Sequence, residues 1–171
     1  MRRLIFLLVT AVLAVPALAV AGSPPSSADQ AAAVKQCSTV RTAIGTANFK
    51  QTWGTNANRS NAFGKCVSHF AQLNEQDRSN AAAQCRSARS ADPTGFATTW
   101  GVGPNHKNAF GNCVSTKAKA AAAAQVQATV NAAKACATER NTIGLAAFKQ
   151  KYGKSNAYGK CVSSKVKHST P

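Results

Sequence analysis

One pattern is written three times in this chain, and each copy is bracketed by two cysteines: Cys37 to Cys66, Cys85 to Cys113, and Cys136 to Cys161. Arg follows the first cysteine of each copy by four residues (Arg41, Arg89, Arg140). An aromatic pair spaced four apart and closed by Gly comes next: Phe49/Trp53/Gly54, Phe96/Trp100/Gly101 and Phe148/Tyr152/Gly153. Each copy ends on nearly the same octapeptide: NAFGKCVS from Asn61, NAFGNCVS from Asn108, NAYGKCVS from Asn156. A period of roughly 50 residues defines a structural unit repeated along the chain. It constrains architecture far more than chemistry.

Helix signals recur within each copy. An Ala-rich run precedes each first cysteine: Ala31 to Val34, Ala81 to Ala83, and Ala118 to Ala135. Ala is the best helix former. Asp29 and Ser79 read as N-caps of the first two runs. Val34, Cys37, Val40 and Ile44 fall on one helical face. Eight residues after each first cysteine stands a breaker, Gly45, Pro93 or Gly144, where the helix should end. A short second helix carries the aromatic pair on one face. Thr46 and Asp92-Pro93 read as its start, and the Gly after the pair as a left-handed C-terminal cap. After a polar loop, Asn61, Asn108 or Asn156 opens a third helix.

From Asn108 to Thr142 there is no Pro, and no Gly beyond Gly111. The third helix of copy two is therefore predicted to run on into the first helix of copy three. Cys113 and Cys136 are 23 residues apart, or roughly 34 Å along a helix. Cys66 and Cys85, 19 apart, would lie roughly 28 Å apart on the same geometry. A disulfide needs Cα atoms within about 7 Å. Bridges between neighbouring copies are thus disfavoured, and Cys37–Cys66, Cys85–Cys113 and Cys136–Cys161 are selected. Each closes a loop worth about 3.5 kcal/mol in the chain-entropy model. The expected fold is all-α: a short helical array of three cysteine-stapled repeats, about three helices in each, with adjacent repeats joined by long helices. Repeat one is assigned to residues 29–76, repeat two to 77–116, and repeat three with its basic tail to 117–171.

The first residues read as an export signal. Arg2 and Arg3 precede an apolar run from Leu4 to Val15, interrupted only by Thr10 and ended by Pro16. Small-x-small sites follow, placing cleavage near Ala19 or Ala21. The run is shorter than the about 20 residues that span a bilayer. Residues 1–21 are taken as this signal and 22–28 as a linker. A secreted, periplasmic or cell-envelope location follows, and an even set of six cysteines suits it.

Charge points to a partner class. Without Arg2 and Arg3, 19 basic residues face 5 acidic ones, a net charge of +14. From Thr116 onward ten Lys/Arg stand against Glu139 alone. Such a field favours anionic polymers or surfaces. Lys149, Lys151, Lys154, Lys160, Lys165 and Lys167 are the candidate anion-binding residues. The loop residues Arg59, His106, Lys107 and Lys154 are expected to add charge at one edge.

Catalytic signals are weak. The carboxylates Asp29, Glu75, Asp77, Asp92 and Glu139 do not recur at equivalent positions, nor do His69, His106 and His168. No nucleophile elbow, phosphate loop or H-E-x-x-H is present. Cys66-x-x-His69 has ligand-like spacing, but Cys66 is better used in a bridge, and no C-x-x-C occurs. No catalytic residue, metal site, cofactor or specific nucleic-acid motif is assigned. Asn58-Arg59-Ser60 matches a glycosylation acceptor, a match common by chance. The aromatic residues are read as core, with Trp53 and Trp100 largely hidden from water. Arg41, Arg89 and Arg140 are read as capping carbonyls or stacking on an aromatic of their own copy. Gly64, Gly111 and Gly159 are read as permitting close helix approach beside the bridge. The functional expectation is an exported, non-catalytic binding or structural module contacting anionic polymers or surfaces. The alternatives are a secreted effector or inhibitor acting on a protein or membrane, and a hydrolase with an unrecognised site.

Overall fold

A computed structural model describes residues 23–167, so the export signal read over residues 1–21 and the end of the basic tail lie outside the described residues. Six helices follow in order: α1 (Ser27–Ile44), α2 (Thr46–Trp53), α3 (Ala62–Ala91), α4 (Pro93–Trp100), α5 (Ala109–Tyr152) and α6 (Ala157–Lys167). Besides the helices, one isolated antiparallel bridge joins Val102 and Lys107. The all-α class is the observed one. No described helix is long and apolar enough to cross a membrane.

The breakers act where the sequence places them. α1 stops at Gly45, whose φ of 79° is open to glycine. The same φ recurs at Gly144, which breaks α5 into two arms. α3 ends at Asp92, and the Asp92 carboxylate accepts from the Gly95 amide at 2.9 Å to start α4 on Pro93. The long junctions are helical throughout: α3 carries copy one into copy two, and α5 carries copy two into copy three.

Several caps differ from expectation. Ser26, not Asp29, caps α1; Asp29 is the third residue of a reciprocal capping box, accepting from the Ser26 amide at 2.8 Å. Ser79 caps nothing, because α3 runs through it, and its hydroxyl donates to Glu75 at 2.9 Å. Gly45 rather than Thr46 takes the N-cap of α2. Asn61 and Asn108 hold N-cap positions without capping through their side chains; the Asn61 amide side chain bonds Thr55 across the preceding loop instead. Gly54 and Gly101 have extended φ values of −73° and −75°, so they are not left-handed caps. Glycine is needed there for another reason. A β-carbon on Gly54 would strike Arg59, and one on Gly101 would strike His106, where each loop folds back. Arg59 and His106 themselves take the left-handed turn, at φ 55° and 47°.

The bridges are Cys37–Cys66, Cys85–Cys113 and Cys136–Cys161, with Cα separations of 6.0, 6.1 and 6.1 Å. Every pairing lies within a copy, as the helical separation requires. The copies are not equivalently placed, however. α3 and α5 run antiparallel, with Asp77 accepting from Gln125 at 2.9 and 3.1 Å, so α5 returns copy three to copy one. Copies one and three share a core of Cys37, Val40, Phe49, Cys66, Phe70, Cys136, Phe148, Tyr158 and Cys161. Small residues (Ala33, Ala71, Ala132, Ala133) let the helices approach closely in it. Copy two keeps a separate, smaller cluster of Cys85, Phe96 and Cys113 at the tip of the hairpin.

α1 is tied to this hairpin by polar contacts. Asn74 donates to the Asp29 carbonyl (3.1 Å) and to Gln36 (2.9 Å), and Arg78 pairs with Asp29 at 3.1 Å. Although its partial burial works against ionisation, the bonds from Ser26 and Arg78 hold the Asp29 carboxyl below its ordinary range.

Candidate anion-binding site

The six candidate lysines part three ways. Lys151 and Lys165 are held by Glu139, at 2.6 and 3.1 Å. The Tyr152 hydroxyl also donates to that carboxylate, at 2.9 Å. The bond from Lys151 is the main reason the Glu139 carboxyl is lowered to about 2. These two lysines therefore serve the fold's own charge balance.

Lys149 and Lys154 line a cleft of about 450 Å³ together with Lys50, Arg59 and Arg140. It is built by α2 and the loop after it from copy one, and by both sides of the Gly144 break in α5, the loop after α5 and the first turn of α6 from copy three. Gly144 redirects the chain so that Lys149 faces α2 across the cleft. Gly153 at φ 97° and Asn156 at φ 50° then close the short loop that holds Lys154. Arg140 Nη1 donates to Gln51 Oε1 at 2.7 Å and fixes the two copies against each other. Arg59 is anchored less tightly, with Nη1 at 3.5 Å from the Lys50 carbonyl. Five cations and no carboxylate line the cleft. A cleft of one sign between low-dielectric walls concentrates potential and draws counter-ions.

Lys160 and Lys167 line a second, larger groove of about 710 Å³, joined there by Lys65. Its walls are the end of α2, part of α3 and one side of α6, including Trp53, His69, Val162 and Val166. Trp53 leans on His69 with ring centroids 5.0 Å apart and on Phe70 at 5.9 Å. Loss of water around the imidazole lowers the His69 pKa, so the ring is neutral at pH 7. The buried Trp53 Nε1 and Asn156 Oδ1 have no hydrogen-bond partner among the described residues.

Arg59 and Lys154 thus meet in one cleft, whereas His106 and Lys107 belong to the loop after α4 and do not line it. The recurring arginines stack. Arg41 lies 5.3 Å from the Phe63 ring centroid, Arg89 5.1 Å from Phe110, and Arg140 5.2 Å from Tyr158. Arg140 alone of the three also lines the cleft. The aromatic pairs divide. Phe49, Phe96 and Phe148 are buried, while Trp53, Trp100 and Tyr152 are only half-buried. The second aromatic of each pair sits at the last residues of its helix or arm, where neighbours cover one side of the ring. Trp53 and Trp100 are therefore not hidden from water as expected.

Sequence reasoning did not bring Lys50, Lys65 and Arg140 to these sites. A signal existed. Lys50 and Lys149 each follow the buried Phe of their copy, in Phe49-Lys50-Gln51 and Phe148-Lys149-Gln150, and Lys65 and Lys160 share one octapeptide position. Copy two has Ala97 and Asn112 in those places, and Asn112 is spent on a 2.9 Å bond to the Trp100 carbonyl. Both lysine pairs occur only in the copies that pack together. No protein-family model, curated protein or solved structure matches the chain.

Proposed function

We propose that this chain is an exported, non-catalytic binding module that contacts anionic polymers of the extracellular space or cell envelope. The cleft between copies one and three, with Lys50, Arg59, Arg140, Lys149 and Lys154 and no carboxylate, carries the reading. Three disulfides support an oxidising compartment. The acidic residues support the absence of catalysis, because each has structural work. Asp29 closes the capping box, Glu75 accepts from Ser79, Asp77 from Gln125, Asp92 caps α4, and Glu139 holds two lysines.

The test is binding to an anionic polymer across a salt series, by fluorescence anisotropy with labelled DNA and with an acidic wall polymer. Affinity should fall linearly on a log–log plot as counterions are released. Combined Lys50→Gln, Lys149→Gln and Lys154→Gln should reduce the slope on DNA by about 2 to 3. Lys107→Gln with Lys117→Gln, away from the cleft, should leave more of it intact. Binding that is absent at low salt, or that the triple variant does not change, would remove the cleft from function.

One observation favours a second reading, an anionic membrane surface. Ile143 and Leu145 flank Gly144 with 40% and 56% of their surfaces exposed, and Leu145 lines the cationic cleft. Exposed apolar residues beside cations are what an interfacial contact uses. Leu145→Ser would weaken binding to anionic liposomes while sparing DNA if this reading is correct.

A further inference from the structure

The larger groove differs in chemistry from the cationic cleft. Its walls are mainly apolar, built from the Trp53 indole, Val162 and Val166, with His69 neutral against the indole. Lys65, Lys160 and Lys167 are exposed along it, so their aliphatic stems extend the wall while their ammonium groups stay in water. No carboxylate lines it. At about 710 Å³ it is as large as a small-molecule site. A highly charged polymer would have to shed water against valine and indole without compensation. A neutral apolar molecule would leave the three lysines unused. A molecule with one anionic end and one apolar end matches both halves. We propose that this groove binds a single-chain anionic amphiphile, with its aliphatic tail along Trp53, Val162 and Val166 and its carboxylate or phosphate head among the lysines.

The lining residues come from both outer copies: Trp53, Lys65 and His69 from one, Lys160, Val162 and Val166 from the other. The site therefore exists only because copy three returns to copy one. Its ligand is distinct from the polymer assigned to the cleft, so either assignment can fail alone.

The indole reports on occupancy. The chain has two tryptophans, and Trp100 belongs to the distal tip cluster. Trp100→Phe leaves Trp53 as the sole probe. Titration with straight-chain carboxylates of eight, ten and twelve carbons, each below its micelle concentration, should give a saturable shift of Trp53 emission. Affinity should rise about fourfold for each methylene that enters the groove. Alkyl phosphates of equal length should behave alike, and alcohols should bind about tenfold more weakly for want of a head partner. Ser163 is exposed and lines the groove. Ser163→Glu should weaken carboxylate binding about tenfold, and Ser163→Lys should not, with the thermal melt unchanged in both. Calorimetry on the unmodified protein gives the same chain-length series should Trp100→Phe fold poorly. Three results would overturn the proposal: no saturable binding at any chain length, equal binding of alcohols and carboxylates, or binding of anionic vesicles or an acidic oligosaccharide without the monomeric amphiphile.

Discussion

At the scale of single residues, charge here is assigned by partners rather than by position in the chain. Glu139 takes two of the six candidate lysines out of circulation. Its carboxyl falls from an ordinary value of 4.5 to about 2. A group depressed in this way stabilises the fold fully above its unfolded value and loses that contribution as pH falls through the folded one. Glu139→Gln should therefore lower the melting temperature at neutral pH, and the gap to the parent should close between about pH 4.5 and pH 2. The pair is largely solvent-accessible on the lysine side, so the effect is modest. The same variant removes the carboxylate that holds Lys151 and should raise affinity for anionic polymers at low salt. A melt series across pH and an anisotropy titration check the two halves. The identity of the basic residues was legible in the sequence, but their partners were not. Glu139 is 12 residues from Lys151 and 26 from Lys165 in sequence, and it takes the break at Gly144 and the loop before α6 to bring the three together. The stacking of Arg41, Arg89 and Arg140 was legible as one of two roles, because every copy sets the arginine four residues after its first cysteine and the ring three before its second, and the bridge brings the two together.

At the scale of helices, breakers and junctions were readable and cap details were not. Gly45, Gly144 and Asp92-Pro93 end helices through backbone preferences that act locally. The start of α1 turns on a choice between Ser26 and Asp29, each able to cap, and the capping box resolves it by using both. The octapeptide glycines show how one motif position acquires different reasons. Gly64 has open space where a β-carbon would go. At Gly111 a β-carbon would collide with Asn108, and at Gly159 with Asn156 and the Thr52 carbonyl of α2. Close approach of another helix explains Gly159 alone. Gly64→Ala should therefore stabilise the protein by about 0.5–1 kcal/mol, the helix-propensity difference. Gly159→Ala should destabilise it, since the carbonyl it meets is backbone and α2 would have to shift. Opposite signs in paired thermal melts are the expected outcome; equal shifts would mean that α6 does not pack on α2 as described.

At the scale of the whole molecule, the repeat gave the units but not their arrangement. Nothing in the octapeptides says that the third copy packs on the first. That follows from the lengths of α3 and α5, which pair as an antiparallel hairpin and return the chain to its origin. Both grooves depend on that return, which is why Lys50, Lys65 and Arg140 were missed. Three bridges supply on the order of 10 kcal/mol in the chain-entropy model, so reductant should lower the melting temperature sharply, and an unchanged melt would contradict their structural weight. The two cores are unequal. The base holds buried residues from five helices (α1, α2, α3, α5 and α6), whereas the tip holds Cys85, Phe96 and Cys113 with partly covered neighbours. Cooperative opening tracks the density of buried contacts, so the tip should breathe as its own unit. Amide protons of α4 should exchange with solvent before those of α1 and the Gly144 arm. The Cys85–Cys113 link would hold each opening to a short tethered excursion from which the tip recloses.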